Sequence, residues 1–332
     1  MPKHSRKIGS GDAERFDQRN TMFNRPRDAE RSSPEILEMG KKHYGVRRFK
    51  DDEGYTFLDW AFAMGAWHLE RWWGFGNIVG NEGLYEWFPD PSQIALRDRI
   101  PEGQTWKMSD PGEMTRIVKT AATYLGASAV GICKLNPHWI YSHRFDPRTL
   151  AHGPIDDIPK DCTTAIVMVH EMDYTLMKTA PAYGENAATG RGYSTMAHVA
   201  SSVAHFLRDL GYKAIPSGND TALSIPLAID AGLGEIGRNG LLITPRFGPR
   251  VRISKVFTNL PLVPDKPIEI GVRQMCEVCG KCAKACPGNA ISAGNPTHEG
   301  LTLSNNHGIY KWYINPERCF GFWVRNGGDC AN

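Results

Sequence analysis

Apolar positions at helical spacing predict two helices in the middle of the chain. The clearer one is predicted at 193–210, where Gly211 supplies a C-terminal stop. Its apolar stripe comprises Met196, Ala200, Val203, Phe206, Leu207 and Leu210. The second helix is predicted to begin at Asp110 and Pro111 and to end at Gly126.

Short apolar runs, several of them rich in β-branched residues, predict strands on either side of these helices. The strands are predicted at 129–133, 164–170, 212–216, 241–244 and 252–258. We expect a loop at 134–160, and a short helix followed by a glycine-rich turn at 222–240. Because helices and strands alternate, the pattern predicts an α/β sandwich.

Composition divides the chain into three predicted parts. Residues 1–43 are polar and charged and predict an N-terminal arm over the body. Residues 44–267 form the predicted main domain, and 268–332 a cysteine-rich module. Segment 44–106 holds six of the nine tryptophans, which fits either a core of bulky rings or an apolar ligand cavity. These are Trp60, Trp67, Trp72, Trp73, Trp87 and Trp106.

Charge and hydropathy limit the expected partners and location. A net charge of +3 over 332 residues predicts no strong electrostatic attraction to nucleic acid or membranes. No apolar run reaches the length of a membrane span. The N-terminus has no apolar signal core, so we expect a cytoplasmic protein unless a leader lies outside this sequence.

Four cysteines in CEVCGKCAKACP (276–287) have the spacing C-x2-C-x2-C-x3-C-P. This is the ligand run of bacterial two-cluster ferredoxins. It predicts that Cys276, Cys279 and Cys282 hold one 4Fe–4S cluster, and that Cys286 begins a helix and binds a second. Zinc sites usually have two separated cysteine pairs, and disulfide frameworks occur in short secreted chains. Both alternatives fit this sequence less well.

A glycine-rich stretch, AGLGEIGRNG (231–240), precedes the cysteines. Its glycines could bring backbone N–H groups close to a flat or anionic ligand. It is neither a dinucleotide-binding fingerprint nor a phosphate-binding P-loop. The alternative is a structural corner between a helix and a strand, and the residues alone leave both open.

Several motifs together resemble the corrinoid-dependent reductive dehalogenases, which are related to epoxyqueuosine reductase. The resemblance covers nearly the whole chain and is most specific at 192–292. The motifs are RFDQRNTMF (15–23), GYSTMA (192–197), LGYKAIPSGN (210–219), SIPLAIDAGLGEIGRNGLLITPRFGPRVR (224–252), TNLPLVPDKPIEIGV (258–272) and MCEVCGKCAKACPGNAIS (275–292).

The resemblance implies a fold, cofactors and partners. The fold is a nitroreductase-like α/β sandwich that binds cobalamin or another corrinoid base-off, followed by a ferredoxin-like module with two 4Fe–4S clusters. The expected substrate is a small apolar organohalide, and an external low-potential donor supplies electrons. A peripheral membrane anchor protein is a further candidate partner, and no nucleic acid is expected.

The resemblance also assigns site residues. Tyr193 matches the proton-donating tyrosine, Arg252 its basic partner, and Asn219 a polar residue lining the pocket. A phenol titrates near pKa ~10, and a nearby guanidinium makes it a better proton donor. A surface tyrosine at a helix start and an ordinary strand arginine are the structural alternatives. The predicted corrinoid contacts are Gly232, Gly234, Gly237, Asn239, Ser217 and Gly218.

The C-terminus departs from the family pattern. The second cluster is expected to use Cys286, Cys319 and Cys330. The chain ends at Asn332, one residue before the next cysteine of the pattern. This predicts either incompletely ligated clusters or a longer natural protein.

Two other functions are open to such a chain. One is a tRNA-modifying reductase of the epoxyqueuosine type, which would need a basic surface and a carboxylate acid. The other is an iron–sulfur electron carrier without catalysis. More than 250 residues precede Cys276, which is more than a carrier requires.

Overall fold

The computed structural model describes residues 14–330 except 47–48, 75–82, 91, 93–94, 96–99, 102 and 108. Its strands are β1 (Ala129–Lys134), β2 (His143–Phe145), β3 (His152–Pro154), β4 (Thr164–Glu171), β5 (Ala214–Ser217), β6 (Glu235–Ile236), β7 (Leu242–Ile243) and β8 (Val251–Thr258). Its α-helices are α1 (Pro34–Tyr44), α2 (Phe57–Ala66), α3 (Pro111–Tyr124), α4 (Tyr174–Met177), α5 (Tyr183–Asp209), α6 (Ser224–Asp230), α7 (Val272–Cys279), α8 (Lys281–Ala285) and α9 (Pro316–Asn326).

A four-stranded antiparallel sheet in the order β1-β4-β8-β5 lies at the centre. Side chains alternate between its two faces. Ile166 and Met168 of β4 pack with α3 and α5, whereas Val167 and Val169 share the other core with α6. The sheet is therefore covered by helices on both faces, and the predicted α/β sandwich is confirmed.

Helix α5 differs from its prediction, because it begins at Tyr183, ten residues before the predicted start at 193. Its first turns contain small residues rather than an apolar stripe, so hydrophobic periodicity misses them. Close packing explains the small residues. A Cβ on Gly190 would lie 2.4 Å from Cδ1 of Trp67, and one on Gly192 would lie 2.9 Å from Cγ of Arg252.

One further prediction needs correction. The segment 134–160 is not only loop, since β2 and β3 form a small antiparallel hairpin there. The tryptophans of 44–106 also differ from one another in burial, so a core of bulky rings describes only some of them. Trp87 is 3% exposed, but Trp72, Trp73 and Trp106 are 75%, 56% and 58% exposed.

The described part of the N-terminal arm packs against both later parts of the chain. The guanidinium of Arg15 donates to the carbonyl oxygens of Tyr141 (2.6 Å) and Ile155 (2.9 Å). Met22 and Ile36 form a small core with Phe320 of α9. This core joins the arm to the cysteine-rich module. Residues 1–13 of the predicted arm lie outside the described residues, and the three-part division stays a prediction.

Within the described residues, no helix combines the length and apolar character needed to cross a membrane.

Candidate active site and cluster sites

The three residues predicted to act on the substrate meet around one hydroxyl group. Tyr193 lies in the middle of α5, Arg252 lies on β8, and Asn219 follows β5. The Tyr193 hydroxyl accepts hydrogen bonds from Nδ2 of Asn219 at 2.6 Å and from Nη1 of Arg252 at 3.1 Å. Asn219 and Arg252 lie 26 and 59 residues from Tyr193 in sequence, yet both donate to its hydroxyl. Tyr193 is not a surface residue at a helix start.

Opposing effects act on the phenol. Burial raises the pKa of Tyr193 above its usual value, and the Arg252 guanidinium opposes this effect. The guanidinium carbon lies 4.7 Å from the centre of the tyrosine ring. Neutral phenol is thus favoured at rest, while Arg252 and Asn219 are placed to stabilise a phenolate. Asn219 is exposed and Tyr193 is half-buried.

Sequence reasoning missed the residues that hold the tyrosine ring. Trp67, just after α2, stacks on Tyr193 with ring centres 4.8 Å apart and planes at 25°. The Trp67 indole N–H donates to both the backbone oxygen and Oδ1 of Asn186, at 3.1 and 3.0 Å. Asn186 belongs to the first turns of α5, so the unpredicted part of this helix orients the ring that supports Tyr193.

Glu70 is a second missed residue. Its side chain is buried, and no hydrogen-bond partner for Oε2 lies in the described part of the chain. Burial, and after it the nearby Asp220 carboxyl, raises the pKa of Glu70 to about 8. Glu70 also raises the pKa of Tyr193 electrostatically. Its only sequence signal is an acidic residue within the aromatic-rich segment.

Lys255 fixes the loop that carries Asn219. Its ammonium group is fully buried and donates to the carbonyl oxygens of Gly218 and Ala222 and to Oγ of Ser224. Burial lowers the pKa of Lys255 to about 8. The sequence predicted only that Lys255 lies within a strand, and that position gave no indication of this role.

The predicted corrinoid contacts have packing roles within the chain. A Cβ on Gly232 would lie 2.5 Å from the Lys266 oxygen, and one on Gly234 would lie 2.3 Å from the Ile243 oxygen. Gly237 would meet Oδ1 of Asn239 at 2.7 Å. The structural corner therefore accounts for these three glycines.

Ser217, the last residue of β5, and Gly218, which follows it, are both buried. Corrinoid binding by this set, including Asn239, stays a prediction. Around the Tyr193 hydroxyl lie buried polar atoms that have no hydrogen-bond partner among the described residues and could contact a ligand. These atoms are Oε2 of Glu70, the hydroxyl of Tyr85 and Nε of Arg252.

The six predicted cluster ligands fall into two predicted sets, which we name the first and the second cluster site. The first cluster site comprises Cys276, Cys279 and Cys282. Cys276 and Cys279 lie one turn apart on α7, and α8 carries Cys282. Gly280 joins the helices with φ of +59°, a conformation that glycine adopts without steric cost. No neighbouring atom would clash with a Cβ there, so the requirement for glycine is conformational.

The second cluster site comprises Cys286, Cys319 and Cys330. Burial, followed by the neighbouring Cys330 and Cys286 thiols, raises the pKa of Cys319 to about 12. Cys286 does not begin a helix, because it follows the last residue of α8. That prediction is wrong, and the helix instead precedes the cysteine.

The donor groups around both sites fit iron–sulfur clusters. Backbone N–H groups of Arg238 and Ala290 donate to Sγ of Cys276 and Cys286, at 3.4 and 3.3 Å. Such bonds to sulfur are typical of cluster loops. Among the described residues, no three acidic, histidine or cysteine side chains converge on one point suited to a single metal ion. A cluster requires no such convergence, because each thiolate binds a different iron.

Comparisons with known proteins agree with the predicted resemblance. A family model described as a 4Fe-4S dicluster domain matches residues 275–332. A tetrachloroethene reductive dehalogenase from Desulfitobacterium hafniense is 37% identical over 344 aligned positions, covering 85% of this chain and 62% of the relative. This chain therefore spans about three fifths of that relative's length.

A solved structure supports the same class. Its title describes a reductive dehalogenase and B12-dependent dehalogenation; it is 27% identical, with a TM-score of 0.70, and covers 94% of this chain and 39% of that one. An epoxyqueuosine reductase from Listeria monocytogenes is 35% identical over 80 residues, which is 24% of this chain and 20% of that protein. The resemblance to reductive dehalogenases is confirmed, and similarity to the epoxyqueuosine reductase covers a smaller part of the chain.

Proposed function

We propose that this chain acts as a reductive dehalogenase that depends on a corrinoid and on iron–sulfur clusters. The reaction replaces a carbon–halogen bond with a carbon–hydrogen bond. It consumes two electrons and one proton and releases one halide ion. The chain must therefore provide a route for electrons and a proton donor beside the reacting carbon.

The observation that carries the proposal is the hydrogen bonding of the Tyr193 hydroxyl. The amide nitrogen of Asn219 and the guanidinium of Arg252 are donors only. The phenolic oxygen accepts from both, so its own proton is left for another acceptor. We infer that this proton passes to the substrate carbon, while the two donors stabilise the phenolate that remains.

The cofactors supply the chemistry that side chains lack. A bound corrinoid would supply a low-valent cobalt centre able to reduce the carbon–halogen bond. Two 4Fe–4S clusters at the two cysteine sites would pass electrons singly from an external low-potential donor. Base-off binding of the corrinoid and the count of two clusters belong to this proposal.

The substrate class follows from the surroundings of the hydroxyl. The Trp67 ring stacks on Tyr193 and presents aromatic surface beside the proton donor, which suits a small apolar organohalide. The name of the Desulfitobacterium relative refers to tetrachloroethene, a compound of this kind. The other proposed partners are the external donor and a peripheral membrane anchor protein, with the protein in the cytoplasm.

The test compares wild type with Tyr193→Phe after anaerobic loading with cobalamin and iron. We expect about one cobalt and about eight irons per chain in both proteins. Halide release should fall about 10²- to 10⁴-fold in the variant, because its proton donor is lost. Tyr124→Phe is the matched control, since this tyrosine is 90% exposed.

Three outcomes would count against the proposal. Wild-type protein that binds iron but no cobalt would indicate an electron carrier. Halide release unchanged by Tyr193→Phe at full cofactor content would remove the role of the phenol. An equal loss in Tyr124→Phe would show that the assay reports general damage.

A further inference from the structure

Arg238 joins the glycine-rich loop to the first cluster site. It lies between β6 and β7 and is 5% exposed. Nε and Nη2 donate to the carbonyl oxygen of Cys276 at 3.0 and 2.8 Å. Nη1 donates to the carbonyl oxygens of Ser292 and Gly294, at 2.9 and 2.8 Å. The guanidinium is thus held rigidly by acceptors from the cysteine-rich module.

The positive charge of this guanidinium has no matching negative side chain. All four of these bonds go to neutral carbonyl oxygens, and in the part of the chain that the structure describes no carboxylate forms an ion pair with Arg238. The Trp312 ring lies 4.6 Å from the guanidinium carbon and adds only a weak cation–π attraction. A buried charge without a counter-charge is costly, so a nearby anion is expected.

The cysteines are the anion source that the geometry offers. The backbone N–H of Arg238 donates to Sγ of Cys276 at 3.4 Å, and its guanidinium donates to the carbonyl oxygen of the same residue. An iron–sulfur cluster held by thiolates is a net anion and gains another negative charge on reduction. A fixed buried cation beside it favours the reduced form, because little solvent screens the attraction.

We propose that Arg238 is the built-in counter-charge of the first cluster site and raises the reduction potential of its cluster. This inference rests on the proposed cluster binding, but it does not depend on dehalogenation. It assigns the arginine of the glycine-rich loop to electron transfer rather than to direct ligand contact. Arg238 would also couple the main domain to the cluster electronically, since one side chain contacts both.

The test is an anaerobic redox titration of the iron-loaded protein, followed by the electron paramagnetic resonance of the reduced clusters. In Arg238→Gln, we expect the reduced-to-oxidised ratio of one cluster to fall at least tenfold at a fixed potential. For a one-electron couple this corresponds to a downward shift of about 59 mV. Arg238→Lys keeps the charge, and we expect it to stay within about threefold of wild type.

Arg273→Gln is the control for charge alone. Arg273 lies on α7, three residues before Cys276, but its side chain is 42% exposed and pairs with Glu277 at 3.6 Å. Solvent and the pairing should screen it, so we expect less than a twofold change. An equal effect of Arg238→Gln and Arg273→Gln would overturn the specific role of Arg238.

The remaining outcomes are also decisive. The proposal is overturned if Arg238→Gln binds its full iron and keeps the wild-type reduction potential. It is also overturned if Arg238→Lys shifts the potential as far as Arg238→Gln does. If Arg238→Gln does not load iron, the result for Arg238→Lys decides. A reduced-to-oxidised ratio within threefold of wild type at a fixed potential supports the role of the charge, and a tenfold change in that ratio refutes it. Failure of wild type to bind iron would instead refute the cluster binding itself.

Discussion

Replacing Glu70 by Gln should change how protein stability depends on pH. Glu70 is 6% exposed, its Oε2 lacks a hydrogen-bond partner among the described residues, and Asp220 lies nearby. These surroundings disfavour the ionised carboxylate. Glutamine has almost the same shape and carries no charge, so the variant removes the ionisation while it preserves the packing.

The sign and size follow from the pKa values. Burial raises the pKa of Glu70 from its ordinary value of 4.5 to about 8 in the folded protein. Between these pH values the folded protein retains a proton that the unfolded chain has released. The contribution of Glu70 therefore becomes more destabilising as pH rises, by about 1.4 kcal/mol per pH unit. Over the whole interval this reaches about 5 kcal/mol, and above pH 8 it changes no further.

The assay is anaerobic urea unfolding of equally loaded wild type and Glu70→Gln at pH 5, 6.5 and 8. We expect the stability of the variant relative to wild type to increase steadily over this range. His170, whose pKa burial lowers to about 4, contributes to both proteins and cancels in the comparison. Glu113→Gln removes an exposed carboxylate as the control. A difference between Glu70→Gln and wild type that stays constant with pH would refute the reasoning.

Two further predictions concern the supports of the site and of the arm. Lys255→Met should lower the free energy of unfolding by at least about 2 kcal/mol, because three acceptors lose their donor. Lys266 is exposed, so Lys266→Met should change the free energy of unfolding by less than about 0.5 kcal/mol. Equal urea midpoints for the two variants would contradict the stabilising role of Lys255. Phe320→Ala should lower the free energy of unfolding by about 3–5 kcal/mol. It should also make the N-terminal arm more susceptible to limited proteolysis, because Phe320 packs on Met22. An unchanged cleavage pattern would count against this packing.

The cysteine motif at 276–287 could be predicted from the sequence because its residues are close along the chain. Cys276, Cys279 and Cys282 are separated by two residues each, so spacing alone indicates one cluster site. The helix at 193–210 was likewise predictable because one face is consistently apolar, and the strand at 164–170 because it is a short, continuous apolar run that is buried on both faces. Motif resemblance then placed Tyr193, Asn219 and Arg252 in one site.

Local patterns could not identify the residues that depend on long-range contacts. The first turns of α5 pack through Gly190 and Gly192, and small residues produce no hydrophobic stripe. Glu70 and Lys255 become significant only because burial removes them from water. Arg238 lies among glycines that first suggested a ligand-binding loop, yet its side chain contacts carbonyl groups more than 35 residues away.

The sequence by itself indicated the α/β alternation, the predicted cluster ligands and the class of chemistry that the motif resemblance implies. These follow from periodicity, cysteine spacing and motif order, all of which are local properties of the chain. Tertiary structure decided that Asn219 and Arg252 share one phenolic oxygen, that Trp67 supports its ring, and that Arg238 lies buried beside the cysteines. Those features depend on distances and desolvation between distant segments, which only the folded chain defines.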